Sequence, residues 1–262
     1  MIGIFDSGVG GLTITKEILN QLPEYQIIYF GDTARLPYGT KQSELIQHWS
    51  RENIKWLSDH GAELFIIACH TASSWAFDLL RHEIDKPIFD VVIPSIKQAL
   101  RVTKNGHIGV IGTPGTIKSN IYHRRLSELN QDATLHLKAC PLFVPIIEEG
   151  WMQKPGTKEI AKEYLRSLSQ SGIDTLILGC THYPLIREVI EEIIGSAVEI
   201  IDPAYALSQE IKEFLHCHEE VNQKIKRGQD HHFYFSSEPY HLQLISQLSL
   251  GRIIKGEVIN RD

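Results

Sequence analysis

Short apolar runs of strand length alternate with longer amphipathic stretches along the whole chain, and this rhythm restricts the fold more than any other feature. Ile2–Phe5, Gln26–Phe30, Glu63–Ala68 and Pro87–Val92 read as strands, with helices over Leu12–Gln21, Lys41–His60 and Ser73–Ile84 between them. In the longest of these helices Ile46, Trp49, Ile54 and Leu57 form one apolar stripe. From Pro94 the pattern restarts: helix Ser95–Val102, strand His107–Ile111, helix Ile117–Leu129, strand Thr134–Ala139, apolar segment Pro141–Gly150, helix Lys158–Gln170 and strand Thr175–Leu178. A helix opening at Pro184, strand Val198–Ile201, helix Ala204–Leu215, the polar break Cys217–Asp230 and strand His232–Phe235 with a short helix complete it. Strands joined by intervening helices imply right-handed crossovers and parallel sheets, so the chain is expected to be an α/β protein with a second α/β unit after the first.

Two of the strands end alike. Ile66-Ile67-Ala68-Cys69-His70-Thr71-Ala72 and Ile177-Leu178-Gly179-Cys180-Thr181-His182-Tyr183 each carry a small residue, a cysteine, and then hydroxyl and imidazole groups. The carboxyl ends of strands are where open α/β sheets place their chemistry. One thiol from each half could therefore face a shared cleft. Two thiols on opposite sides of one carbon make a two-base device, in which one removes a proton, the other delivers one, and the stereocentre inverts. Asp6 could manage the proton on Cys69, and His182 the proton on Cys180. Thr71, Thr181, Ser7, Thr113 and Thr116 can offer hydroxyl and backbone donors to a carboxylate. A strand-end cysteine is more often a small buried hydrophobe, and Cys140 and Cys217 stay in that class. The matching surroundings set Cys69 and Cys180 apart.

Composition excludes several other classes. A net charge of −6 argues against general nucleic-acid binding, which needs a basic surplus. No apolar run approaches the roughly 18 residues of a membrane span, and Met1-Ile2-Gly3-Ile4-Phe5-Asp6 reads as a strand and not a leader, so a cytoplasmic protein is expected. The four cysteines form no C-x-x-C pair, and the 13 histidines show no ligand spacing, so neither a disulfide framework nor a metal site is expected. Gly8-Val9-Gly10-Gly11 lacks the third glycine of a dinucleotide fingerprint, because position 13 is threonine. It reads as a tight turn that lets the backbone approach a small ligand. No phosphate-binding loop is present, and no cofactor is expected.

Six ordered motifs resemble the cofactor-independent glutamate racemases of the aspartate/glutamate racemase superfamily. They are Gly3–Leu12, Tyr29–Gly39, Ala68–Ser73, Gly109–Thr116, Cys140–Pro145 and Leu178–Leu185. The resemblance implies two similar domains with mostly parallel sheets, related by a pseudo-twofold axis, with the active site in the cleft between them. Its boundaries are 1–94 with 206–262 for the first domain and 95–205 for the second. It implies interconversion of L- and D-glutamate, which supplies D-glutamate for peptidoglycan. Cys69 would be the base for the D-enantiomer and Cys180 the base for the L-enantiomer, assisted by Asp6, Glu148 and His182. Glu148 is preferred to its neighbour Glu149. Asp6, Ser7, Pro37, Tyr38, Gly39, His70, Thr71, Thr113, Thr116, Thr181 and His182 would surround the substrate. The family usually has Asn after its first cysteine, and here that residue is His70, which is larger and can carry charge.

Two alternatives accompany this reading: a racemase of the same superfamily acting on aspartate or another small dicarboxylate, and a catalytically weak regulatory binding protein. The expected partner is a small-molecule substrate, with no nucleic acid and no membrane. The oligomeric state is left open, a homodimer among the choices.

Overall fold

The computed structural model describes residues 1–130 and 132–259. Among the described residues, ten strands fall into two sheets. The first contains β1 (Ile2–Asp6), β2 (Ile27–Gly31), β3 (Leu64–Ile67), β4 (Ile88–Asp90), β9 (His232–Phe235) and β10 (Glu257–Val258), in the order β10-β9-β2-β1-β3-β4. The second contains β5 (His107–Gly112), β6 (Thr134–Ala139), β7 (Thr175–Gly179) and β8 (Glu199–Ile201), in the order β6-β5-β7-β8. Every named strand pairing is parallel. The order 2-1-3-4 of the first four strands recurs as 6-5-7-8, so β3 and β7 hold equivalent places. The α/β class and its paired parallel sheets are as the sequence leads one to expect.

β1, β2, β3 and β7 are buried along their whole length, which explains why they read as unbroken apolar runs without alternation. One buried cluster is continuous between the sheets, joining Ile4 and Ile66 of the first to Ile111 and Leu178 of the second. Helix Pro203–Cys217 packs against helix Leu12–Gln21 on one side and helix Val92–Val102 on the other. The last residues of the proposed 206–262 segment, and residue 131 of 95–205, lie outside the described residues.

Several local expectations are corrected. Strand β4 is shorter than Pro87–Val92, because the Asp90 carboxylate accepts from Val92 N at 2.9 Å and turns the chain into a helix three residues earlier than expected. The Ile117–Leu129 helix is two helices, Pro114–Lys118 and Ile121–Leu129, separated by Asn120 in the left-handed region at φ 58°. Pro141–Gly150 contains helix Phe143–Glu148, and Pro184 opens a 3-10 turn, Tyr183–Ile186, ahead of helix Arg187–Ile194. Helix His70–Glu83 begins directly after Cys69. Among the described residues no helix is long and apolar enough to cross a membrane.

Candidate active site

A cavity of about 350 Å³ opens between the carboxyl ends of the two sheets. Of the expected residues, Ser7, Pro37, Tyr38, Gly39, Cys69, His70, Thr71, Thr113, Glu148, Cys180, Thr181 and His182 line it. Both thiols thus reach one wall system from equivalent strand ends, and both are buried. Asp6 and Thr116 lie just outside the lining. Asp6 ends β1 with its carboxylate covered by the turn after it, accepting from Gly8 N at 3.0 Å and from Thr181 Oγ1 at 3.4 Å. Thr116 lies on the inner side of helix Pro114–Lys118.

Gly10 of the first loop serves packing between the two units, and Gly11 serves packing within the first. A Cβ on Gly10 would stand 2.5 Å from both His182 Nδ1 and Thr181 Oγ1, and one on Gly11 would stand 2.5 Å from the Asp6 Cβ. The loop is therefore tight against Asp6 and the second unit's strand end, and Gly8, Gly10 and Gly11 stand outside the cavity lining, where the sequence suggests an approach to a ligand. Thr13 Oγ1 adds a bond to the Thr181 carbonyl at 2.9 Å.

Cys69 caps helix His70–Glu83, its sulfur accepting from Ala72 N at 3.5 Å and donating to Ser7 Oγ at 3.4 Å. Burial, with the Asp6 carboxylate in support, pushes this thiol up to about 12. Asp6 itself is raised by burial, and His182 opposes the rise. Across the cavity, Cys180 Sγ stands 3.9 Å from His182 Nδ1, and His182 Nε2 stands 3.0 Å from Glu148 Oε1. Burial alone would discharge His182, but its bonds to Cys180 and Glu148 outweigh that and raise it to about 10. It is a cation at neutral pH. Glu148, not Glu149, makes this contact, although both line the cavity.

At the cavity's other end the hydroxyls of Thr71, Thr113 and Thr116 form a triangle with sides of 2.9, 3.2 and 3.0 Å. Each can donate to or accept from its neighbours, so the set can turn its donors toward an arriving carboxylate. Tyr38 lines the wall with its hydroxyl turned away to the Asp32 carboxylate, and Gly39 lets that loop meet Thr113, which a Cβ would approach to 2.7 Å. His70 is buried, and neither ring nitrogen has a partner. Burial lowers it to about 3, so it is neutral.

Other residues of the lining went unread in the sequence. Leu36, Thr40, Pro114, Pro141, Val144 and Pro145 contribute wall without reactive groups, and only chain reversal brings them together. The role of Tyr29, within the second motif, is not readable from the sequence either. Its hydroxyl donates to the Gly8 carbonyl at 2.7 Å and so supports the loop that holds Asp6 and Ser7.

Two parallel α/β units face each other across a small cavity, with one thiol from each at equivalent strand ends, and the comparisons with known proteins place this architecture in the isomerase class. Residues 2–211 match the family model for Asp/Glu/Hydantoin racemase, and the chain belongs to that family. It is similar to the glutamate racemase of Geobacter metallireducens, with 43% identity over 91% of this chain and 88% of that one. The crystal structure of a glutamate racemase isoform from Bacillus anthracis superposes with a TM-score of 0.92 at 35% identity, covering 100% of this chain and 97% of that one. The glutamate racemase of Francisella tularensis, solved with D-glutamate, gives 0.89 at 35% identity over 99% and 97% of the two chains.

Proposed function

We propose that the protein interconverts L- and D-glutamate by a two-thiol 1,1-proton transfer, with no cofactor. The observation that carries this reading is the placement of Cys69 and Cys180 on the wall of one cavity, at equivalent strand ends of two facing sheets. For L-glutamate, the Cys180 thiolate takes the α-proton: the C–H bond breaks and an S–H bond forms. The Cys69 thiol then breaks its S–H bond to give a proton to the opposite face of the same carbon. For D-glutamate the roles exchange, and solvent resets the two sulfurs. His182, held by Glu148, handles the proton on the Cys180 side, while Asp6 and Ser7 do so on the Cys69 side.

The α-proton of an amino acid is very weakly acidic, so thiolate basicity alone is insufficient. Donors aimed at the developing enediolate in a water-poor cleft must lower the barrier. The threonine triangle, Thr181, Ser7 and His70, with the Pro37-Tyr38-Gly39 turn, surround the substrate in this reading. The D-glutamate formed serves peptidoglycan synthesis in the cytoplasm. Sedimentation velocity reads the oligomeric state, a homodimer among the choices, directly.

Each glutamate enantiomer, incubated in deuterated solvent, should invert and gain deuterium at Cα, followed by circular dichroism and proton NMR. Inversion that persists in the Cys69→Ser/Cys180→Ser double variant would sink the two-thiol assignment. Faster inversion of aspartate than of glutamate would move the substrate to the alternative dicarboxylate.

A further inference from the structure

The two thiols belong to different sheets, so the gap between them is set by whatever ties the sheets together. Helix Ile121–Leu129 touches the supports of both. Its Ile121, Tyr122 and Leu126 share a buried cluster with Val110 of β5 and Ile177 of β7. Tyr122 also backs the end of β7, since a Cβ on Gly179, the residue before Cys180, would stand 3.3 Å from its hydroxyl. Arg125 lies three residues on and therefore shares that helical face. Its guanidinium bonds Asp78, and it also pairs with Glu128 at 2.9 Å. Asp78 sits in the helix that Cys69 caps, and Arg124 reaches the same carboxylate at 3.0 Å. Asp90, the last residue of β4, also feels the Arg125 charge.

Arg125 is only 8% exposed, unlike the solvated Arg124, whose side chain is 51% exposed. A buried guanidinium adds little net stability against an apolar replacement, because desolvation offsets its pairing. What a forked, two-partner cation supplies is fixed geometry. One turn of a single helix thus backs the Cys180 strand with Tyr122 and grips the Cys69 helix with Arg125.

We propose that Arg125 is a positioning residue for the proton transfer: through Asp78 it locks the Cys69 helix to the helix that backs Cys180 and so fixes the gap between the two sulfurs. This rests on the two-thiol reading above. A displaced second sulfur still permits the first to remove the α-proton, but delivery to the far face becomes slow. Exchange without inversion then rises relative to inversion, which a general loss of folded protein would not produce.

The test compares the wild type with Arg125→Met, Asp78→Asn and the double variant, using each glutamate enantiomer in deuterated solvent. It measures kcat, KM and the ratio of deuterium in recovered substrate to deuterium in inverted product. Arg125→Met should lower kcat about 10-fold with KM within about threefold, and raise the ratio several-fold. Asp78→Asn should act in the same direction, and the double variant should lose much less than the product of the two single losses, because both changes break the Arg125–Asp78 contact. An unchanged ratio in Arg125→Met, or losses that multiply in the double variant, would overturn the proposal. Should Arg125→Met fail to fold, Asp78→Asn decides by the same ratio, its site being 43% exposed and tolerant. A wild type that inverts neither enantiomer brings down the function reading itself, whereas an active wild type with indifferent variants brings down only the role of Arg125.

Discussion

Cys69 and Cys180 leave their sheets at the same topological position, the ends of β3 and β7, yet their surroundings are opposite in charge. Cys69 faces a buried carboxylate, Asp6, and is held as a thiol by it and by burial. Cys180 faces an imidazolium, His182, whose other nitrogen is bound to Glu148. The two histidines that follow the thiols diverge in the same way. His70 is buried without partners and neutral, while His182 is buried with two partners and charged. Repetition of a fold therefore repeats the position of a reactive group without repeating its protonation. Burial and Asp6 thus keep the Cys69 side protonated, which is the state that the proposed proton removal from L-glutamate at Cys180 requires of it.

The largest effects should come from the thiols themselves. Cys69→Ser and Cys180→Ser should each lower inversion by about 10³-fold or more, in the range that loss of a positioned acid or base produces. The two should differ in what survives: Cys69→Ser retains deuterium exchange into L-glutamate, and Cys180→Ser retains it into D-glutamate. Equal loss of exchange with both enantiomers in both variants would break the assignment of one thiol to each face. His182→Asn comes next, with a fall of about 10²-fold that is larger for L-glutamate, since the lost group stands beside Cys180, the base proposed for that enantiomer.

The same histidine has a stability signature. Its folded-state value of about 10 lies above the unfolded 6.5, so its contribution is fully present below about pH 6.5 and disappears as the pH rises through 10. Wild-type melting temperature should fall between those limits, and His182→Asn should flatten the slope. Parallel slopes in the two proteins would show that the Cys180–His182–Glu148 chain does not hold the proton.

Much of this was legible in the sequence because it depends on local order. Buried strands announce themselves as apolar runs, and the paired stretches around Cys69 and Cys180 pointed to equivalent strand ends. What escaped depends on distant approach. Gly10 read as a ligand-side glycine, and only the fold shows that Thr181 and His182 occupy its missing side chain's space. Glu148 is preferred to Glu149 in the sequence only through the family resemblance; the physical reason is which carboxylate the helix Phe143–Glu148 turns toward His182. Val91 and Val92 likewise read as the end of a strand, because the sequence did not reveal that the Asp90 carboxylate would accept from Val92 N and turn the chain into the next helix.

The smallest expected effect concerns His70, and it sharpens the contrast between the two imidazoles. In the unfolded chain this ring takes up a proton below about pH 6.5, while the folded site keeps it neutral down to about 3. Below pH 6.5 the unfolded state therefore binds more protons, and native stability falls as the pH falls toward 3, by at most about 1.4 kcal/mol per unit. Above pH 6.5 the group contributes no slope. His70→Asn removes the titration, so the variant should gain on the wild type as acid is added, by a few degrees in melting temperature between pH 6.5 and 5. The sign is opposite to that for His182, where the histidine stabilises at low pH and its removal costs most there. A melting-temperature difference between His70→Asn and wild type that stays flat from pH 7 to 5 would mean that the folded protein accepts the proton, and the neutral imidazole beside Cys69 would have to be abandoned.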